Sequence, residues 1–185
     1  MDNLYNVNGE KLNLSDSNFE ARLRGHSWSI LGDSLSHPTL HYVDKKYWVW
    51  ISDRVGGMEI YNYGISGTRI TNFSQRYNQM HYSDIITVFG GVNDWGQQSS
   101  DPTPLGTAED TTNDTFYGAL DILCNGILTT FPKSTTIFIT PLGNSSTTEN
   151  GLGLTIYDYA DAIIKVCEKY KIPVIDACRS SLLNP

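Results

Sequence analysis

Short apolar segments alternate with longer amphipathic ones from about residue 26 to residue 177. The short segments are rich in β-branched and aromatic residues, which is typical of buried strands, and the longer ones repeat apolar residues at helical spacing. The predicted strands are 28–31, 58–64, 84–91, 135–142 and 172–177. The predicted helices are 39–55, 68–80, 114–131 and 156–171. One helix between each pair of strands predicts an α/β fold: a three-layer α/β/α sandwich around a five-stranded parallel sheet.

The length of 185 residues suits one domain with one sizeable core. Residues 1–25 are rich in Asn, Ser and Asp and are predicted to form a peripheral N-terminal leader. Residues 26–185 are predicted to form the domain itself. The sequence contains no internal repeat and no low-complexity tract.

Charge and hydropathy argue against several kinds of partner. The formal net charge is -7 and no basic cluster is present, so nucleic acid is not predicted to bind. No apolar run approaches the ~18 residues of a membrane span. The N-terminus carries no signal-peptide pattern, and these features leave the compartment open.

Cysteine and histidine spacing predicts neither a metal nor a cofactor. The cysteines, Cys124, Cys167 and Cys178, are odd in number and lack CxxC spacing, so buried apolar roles are favoured over a disulfide. His37 and His41 stand four residues apart, but the glutamate of a HExxH site and a third ligand are both missing.

Polar and glycine-rich segments follow the first four predicted strands, at 32–34, 62–68, 90–95 and 141–144. Ligands of parallel α/β sheets bind beyond the carboxyl ends of the strands, where these segments would lie together. No GxxxxGK[ST] motif is present, so a phosphate-binding loop is not favoured.

Ser34 stands at a predicted strand-to-helix turn, which exposes its hydroxyl and places its amide near a helix N-terminus. Gly67 offers backbone without a Cβ, and Asn93 offers a side-chain amide, so both could donate to an oxyanion. Each feature alone is typical of an ordinary turn or N-cap. Their succession after three strands favours acyl transfer by a serine nucleophile.

Three further residues flank this chemistry. Asp33 and Asp94 are predicted either to brace the loops by hydrogen bonds to backbone or simply to form turns. Trp95 opens a long polar segment, and its indole could stack on a sugar face or anchor the loop in the core.

The segments "ILGDSLS", "NYGISGTR" and "GGVNDW" resemble the first three sequence blocks of the SGNH (GDSL) hydrolase superfamily. The resemblance extends over 27–177 and implies a serine esterase, lipase or carbohydrate deacetylase on a flavodoxin-like sheet. It implies that Ser34 is the nucleophile and also donates its backbone N–H to the oxyanion. Gly67 and Asn93 would be the second and third donors.

The family's catalytic histidine belongs to an Asp-x-x-His block after the fifth strand. Here the sequence "DACR" places Arg179 where the histidine would fall. We therefore expect a chain that lacks the C-terminal block and, as it stands, is weakly active or inactive. We also expect an apolar surface beside the fifth strand, either exposed or covered by self-association.

Two functions from different classes follow. The first is an ester hydrolase acting on short acyl esters or acetylated carbohydrates, without a cofactor. The alternative is a non-catalytic module that keeps the hydrolase fold for glycan binding or assembly. The acyl and alcohol groups of the substrate are not determined by the sequence.

Overall fold

The structure, a computed structural model, describes residues 4–5, 11–12, 17–39, 45–96, 101–143 and 148–180. Two short strands pair antiparallel near the N-terminus, β1 (Leu4–Tyr5) and β2 (Lys11–Leu12). The central sheet consists of β3 (Ser27–Gly32), β4 (Glu59–Gly64), β5 (Ile85–Phe89), β6 (Thr135–Ile139) and β7 (Val174–Ile175). The helices are α1 (Ser17–Leu23), α2 (Tyr47–Val55), α3 (Ile70–Arg76), α4 (Val92–Trp95), α5 (Phe116–Thr130) and α6 (Ile156–Tyr170).

The five strands of the central sheet are all parallel, in the order β4-β3-β5-β6-β7. The predicted α/β/α fold is therefore confirmed, and the strand order is the flavodoxin-like one. The chain leaves β3 toward one edge and then returns to continue toward the other. The carboxyl end of β3 thus lies at the point of reversal, where α/β sheets bind their ligands.

Local sequence sets the starts of the two longest helices. Thr115 Oγ1 accepts a hydrogen bond from Gly118 N at 3.2 Å at the N-terminus of α5. At the start of α6, the Asp158 carboxylate accepts from the backbone N–H of Thr155 at 2.7 Å, which forms a capping box. Both arrangements satisfy backbone N–H groups that lack partners inside the helix.

One face of the sheet is covered by α3, α5 and α6 and carries the main core. Buried side chains from the strands pack there against buried side chains from the helices: Leu31, Ile86, Val88, Phe138, Phe73, Leu120, Leu123, Ile127 and Ile163. The free thiols of Cys124, Cys167 and Cys178 are also buried. We call this the closed face.

The opposite face carries α2 and a groove of about 790 Å³ lined mainly by apolar side chains. Tyr47 of α2 packs edge-on against Trp28 and Phe89. Beyond these rings the groove extends to Ile175 of β7, whose side chain is 54% exposed. We call this the open face. It agrees with the apolar surface predicted beside the fifth strand, and self-association there stays a prediction.

Several predicted boundaries differ from the structure. Within the predicted helix 39–55, the described helix is α2, which begins only at Tyr47; residues 39, 45 and 46 are described but not helical, and His41 lies outside the described residues. The predicted helix 68–80 is shorter, because α3 gives way to a 3₁₀ turn at Tyr77–Gln79. The helix α4 was not predicted, since its four residues are too few to show periodicity.

The predicted leader contains α1, whose Glu20 forms an ion pair with Arg54 of α2 at 2.8 Å. Gly25 N also donates to Gly57 O at 3.2 Å. These bonds connect the described part of the leader to α2. None of the helices in the described ranges is long and apolar enough to cross a membrane.

Candidate active site

Ser34 lies in the tight turn that follows β3. Ser36 N donates to Asp33 O at 3.2 Å, and His37 N donates to Ser34 O at 3.3 Å, so the backbone is held as a single turn. The Ser34 side chain is half-buried. Among the described residues, neither its Oγ nor its backbone N–H has a hydrogen-bond partner. Both groups are therefore available to a ligand.

The end of β4 packs directly against this turn. Asn62 Nδ2 donates to Ser36 O at 2.8 Å, and Asn62 Oδ1 accepts from Gly64 N at 2.8 Å. A Cβ at Gly64 would lie 2.5 Å from the Ser36 carbonyl carbon, so only glycine permits the approach. Ile65 N also donates to Gly32 O at 3.0 Å. The loop after β4 is thus held beside the Ser34 turn.

Gly67 lies in that loop with φ +76°, in the left-handed region that favours glycine. The turn is closed by Thr68 Oγ1, which donates to Ile65 O at 2.7 Å. Gly67 is exposed, and its N–H has no partner in the part of the chain that the structure describes. The loop therefore presents a second free backbone donor.

Asn93 lies in α4, immediately after β5. Its Nδ2 donates to Thr68 O at 2.9 Å, which orients the side chain toward the Gly67 loop. An amide nitrogen carries two hydrogens, so one N–H remains for a ligand. The structure therefore brings Ser34, Gly67 and Asn93 to the carboxyl ends of three adjacent strands, β3, β4 and β5.

Asp33 is fully buried beside Ser34. Its Oδ1 accepts from Leu35 N at 3.0 Å, while Oδ2 has no partner in the described ranges. Burial raises the pKa of the Asp33 carboxyl from its ordinary value of 3.8 to about 6. The bond to Leu35 N holds the backbone just after Ser34.

Asp94 is also fully buried, and it joins three segments. Its carboxylate accepts from Ile70 N at 2.9 Å and from Thr103 Oγ1 at 3.1 Å. The first bond ties α4 to the start of α3, and the second ties α4 to the long segment after it. Burial raises the pKa of the Asp94 carboxyl to about 7.

Trp95 is the one flanking residue that needs a correction. Its side chain is only 3% exposed, and its Nε1 donates to Leu154 O at 3.1 Å. An indole buried in this way has no free face to stack on a sugar. The alternative interpretation therefore holds: Trp95 anchors the loop in the core of the closed face.

No described histidine forms a hydrogen bond with Ser34 Oγ. His37 is the nearest in sequence, but its Nδ1 faces its own chain and accepts from Thr39 N at 3.2 Å. His26 and His81 precede β3 and β5, at the opposite edge of the sheet, where the His81 ring stacks on Tyr61 at 4.0 Å.

The fourth polar segment of the predicted site, 141–144, is only partly described. Asn144 lies outside the described residues. Within the described ranges, no group of three or more His, Cys, Asp or Glu side chains is arranged to hold a metal ion.

Sequence reasoning assigned no role to Asn62, Thr68 or Arg76. The side chains of Asn62 and Arg76 donate to backbone carbonyls of the site, and Thr68 O accepts from the Asn93 amide. Asn62 stands two residues before a strand-end glycine, a spacing that suits an Asx-type bond and could have revealed it. Arg76 lies eight residues beyond Thr68, and no local pattern connects it with the site.

Residues 30–185 match the GDSL-like lipase/acylhydrolase family. The match covers more than half of the chain, and the chain belongs to this family. The resemblance to SGNH hydrolases is therefore confirmed. No curated protein sequence matches the chain.

Solved structures share the fold. A protein from Lactobacillus plantarum is 31% identical, with a TM-score of 0.74 over 80% of this chain and 75% of that chain. A possible lipase from Chitinophaga pinensis is 23% identical, with a TM-score of 0.75 over 85% of this chain and 70% of that one. A catalytic mutant of an acetylxylan esterase from Geobacillus stearothermophilus is 18% identical, with a TM-score of 0.59 over 82% and 76% of the two chains. Membership in the family supports hydrolase activity at the level of the family, and the neighbours show the shared fold.

Proposed function

We propose that the chain is an ester hydrolase with Ser34 as its nucleophile. The observation that carries this proposal is that the Ser34 hydroxyl and two backbone N–H groups, at Ser34 and Gly67, have no hydrogen-bond partner among the described residues. Asn93, whose amide is oriented by Thr68 O at 2.9 Å, supplies a third donor at the same edge of the sheet. A serine hydroxyl at the same sheet edge as several N–H donors suits attack on a carbonyl.

The chemistry proceeds through an acyl-enzyme. Ser34 Oγ attacks the ester carbonyl carbon, and the carbonyl oxygen becomes an oxyanion held by the N–H groups of Ser34, Gly67 and Asn93. The C–O bond to the alcohol then breaks, and the alcohol leaves with a proton. Water hydrolyses the acyl-serine in a second round of the same steps. Asp33 and Asp94 act indirectly in this scheme, by holding the backbone next to Ser34 and Asn93.

The proposed substrates are short acyl esters or acetylated carbohydrates. The family relationship supports the ester class, and the structural neighbour named as an acetylxylan esterase supports an acetylated glycan. Neither substrate requires a metal or another cofactor for this mechanism.

The Ser34 proton requires a base, and no described histidine is bonded to Ser34 Oγ. The test therefore measures release of p-nitrophenol from short-chain p-nitrophenyl esters by the 185-residue chain, with imidazole added as an external base. Without imidazole we expect faint or no activity. With imidazole we expect a rate that saturates with ester concentration and exceeds the rate of Ser34→Ala at each imidazole concentration. The Ser34→Ala rate also measures the hydrolysis by imidazole itself, which is subtracted.

The two substitutions should rank according to their roles. Ser34→Ala removes the nucleophile and should abolish enzymatic turnover. Asn93→Ala should lower kcat by about 10²–10³-fold, because the amides of Ser34 and Gly67 still hold the oxyanion. Equal rates for the wild-type chain and Ser34→Ala under all conditions would overturn the proposal.

The alternative function is a non-catalytic glycan-binding module, and the unbonded Ser34 Oγ also suits it. Isothermal titration with an acetylated xylooligosaccharide separates the two functions. Binding without Ser34-dependent turnover, with or without imidazole, would favour the binding module over the hydrolase.

A further inference from the structure

Arg76 closes α3 with a half-buried guanidinium that forms no ion pair within the described ranges. Its Nη1 donates to Tyr63 O at 2.6 Å, and its Nη2 donates to Gly32 O at 3.0 Å and to Thr68 Oγ1 at 3.3 Å. Its Nε is buried without a partner there, and the guanidinium lies 5.0 Å from the centre of the Phe73 ring.

Each acceptor belongs to a different part of the candidate site. Gly32 is the last residue of β3, two positions before Ser34. Tyr63 lies at the end of β4, directly before the glycine that packs on the Ser34 turn. Thr68 follows Gly67, and its carbonyl orients the Asn93 amide. One side chain thus bonds to the backbone near Ser34 and at the end of β4, and to the Thr68 hydroxyl beside Gly67. It reaches Asn93 only indirectly, through Thr68.

The helix terminus alone does not account for this arrangement. A cation at the C-terminal end of a helix interacts favourably with the helix dipole, and an exposed Arg or Lys would do so without burial. Here burial lowers the pKa of Arg76, so the charge is held at a cost in desolvation. No carboxylate of the described ranges is bonded to it to offset that cost, and its Nη1 and Nη2 donate to two carbonyls and a hydroxyl instead.

The guanidinium shape suits this task. Its planar fork offers several N–H groups in fixed directions, whereas the ammonium of a lysine is a point charge on a flexible stem. Two nitrogens of this fork bond to three acceptors on three segments, in directions that the planar group fixes. Its positive charge also lies beneath loops where an oxyanion is proposed to form, and a low-dielectric site strengthens such interactions.

We propose that Arg76 is a positioning residue of the esterase site, which fixes the β3 end, the β4 end and the Gly67 loop so that their donors converge on one oxyanion. This inference rests on the proposed function. It makes Arg76 part of the transition-state machinery through Ser34, Gly67 and Asn93, without contact between Arg76 and the substrate.

The test compares Arg76→Met and Arg76→Lys with the wild-type chain in the imidazole-supported ester assay. For Arg76→Met we expect kcat to fall about 10–100-fold, since a small displacement of catalytic groups costs this much. KM should change less than about threefold, because the oxyanion donors act in the transition state. Arg76→Lys keeps the charge but not the planar guanidinium, so its kcat should lie between that of the wild-type chain and that of Arg76→Met.

Two controls separate positioning from general destabilisation. Arg54→Met removes an exposed arginine that is paired with Glu20 far from the site, and should leave kcat unchanged. Ile127→Val trims a fully buried side chain of α5, and should lower thermal stability without lowering kcat. All variants are assayed well below their melting temperatures, after circular dichroism has confirmed their fold.

The outcomes distinguish this inference from the proposed function. A wild-type kcat in Arg76→Met, together with an inactive Ser34→Ala, overturns the role of Arg76 and leaves the esterase intact. If Arg76→Met fails to fold, a wild-type kcat in Arg76→Lys overturns it equally. A loss of kcat in Ile127→Val as large as that in Arg76→Met also overturns it. Absence of any Ser34-dependent turnover in the wild-type chain instead removes the proposed function, and the inference with it.

Discussion

The two faces of the central sheet are covered very differently. On the closed face, α3, α5 and α6 bury a continuous apolar core. On the open face, α2 covers the region of Trp28 and Phe89, and a groove of about 790 Å³ extends from there to the exposed side chain of Ile175. Parallel sheets are normally buried on both faces, so the asymmetry is a distinctive feature of the described chain.

The candidate site depends mainly on the closed face. The Gly67 loop leads into α3, Asp94 ties α4 to the start of α3, and Arg76 connects α3 to the strand ends. From the open face, Tyr47 of α2 reaches the Ser34 turn through a bond of 2.9 Å to Ser36 Oγ. The closed face therefore supplies most of the hydrogen bonds that hold the loops of the candidate site, and the open face supplies fewer.

The largest change in the free energy of unfolding is expected at β5, where two isoleucines are adjacent in sequence and point to opposite faces of the sheet. Ile86 is fully buried in the closed-face core, and Ile85 lines the open groove. Ile86→Ala should lower the free energy of unfolding by about 2–5 kcal/mol, because it leaves a cavity in a packed core. Ile85→Ala should cost only about 1 kcal/mol, since its side chain already borders open space.

Urea unfolding monitored by tryptophan fluorescence measures both values. The shared strand and residue type make each variant the control for the other. Losses of similar size would mean that the groove is filled in solution, and would break the distinction between the two faces.

A second prediction concerns pH and the buried carboxyl of Asp94. Burial raises the pKa of Asp94 to about 7 in the folded chain, whereas the unfolded chain has the ordinary value of 3.8. The folded state therefore binds more protons between these values. The stabilisation is full below the unfolded pKa and is lost as the pH rises through about 7.

Asp94→Asn should remove this dependence while keeping an acceptor for Ile70 N. We expect the wild-type chain to lose about 1–3 kcal/mol more stability than the variant between about pH 5 and about pH 8, at ~1.4 kcal/mol per pKa unit with a discount for relaxation. Asp33, whose pKa burial raises to about 6, contributes with the same sign in both proteins, so most of its effect cancels in the comparison. Its charge is also the last of the causes that raise the pKa of Asp94. Parallel pH profiles for the two proteins would contradict the prediction.

A third prediction concerns how much the open face stabilises the Ser34 turn. Tyr47→Phe removes the hydroxyl that bonds to Ser36 Oγ and should lower stability by about 0.5–1.5 kcal/mol, as for one net hydrogen bond. A double-mutant cycle with Ser36→Ala isolates the bond from other effects of either substitution. Additive losses in that cycle would show that α2 gives the Ser34 turn no support.

The fold was predictable because its signals are local and repeated. Strands 28–31, 58–64 and 84–91 were predicted within a few residues of β3, β4 and β5, since buried parallel strands are short, apolar and β-branched. Helix ends were less accurate. The helix α4 escaped prediction because a single turn has no period to detect.

The site was predictable only where its residues follow strands. Sequence reasoning could place Ser34, Gly67 and Asn93 at one edge of the sheet, because the carboxyl ends of parallel strands meet there, and their catalytic roles stay predictions. The role of Trp95 could not be decided from sequence, since burial depends on the distant carbonyl of Leu154 that accepts its N–H. Arg76 was missed because its hydrogen-bond acceptors come near it only in the folded chain.

The smallest expected change in stability belongs to Ile175, at the outer edge of the open face. Its side chain is 54% exposed, so Ile175→Lys should alter the free energy of unfolding by no more than about 0.5 kcal/mol. The substitution should nevertheless weaken binding of the apolar dye anilinonaphthalene sulfonate, because it places a charge in a groove that otherwise offers apolar surface. Dye fluorescence titrated at equal protein concentration measures this, and Lys165→Met, at an exposed position of α6 outside the groove lining, serves as a control of opposite charge change. Unchanged dye affinity in Ile175→Lys, or a large loss of stability, would mean that this edge of the sheet is covered in solution.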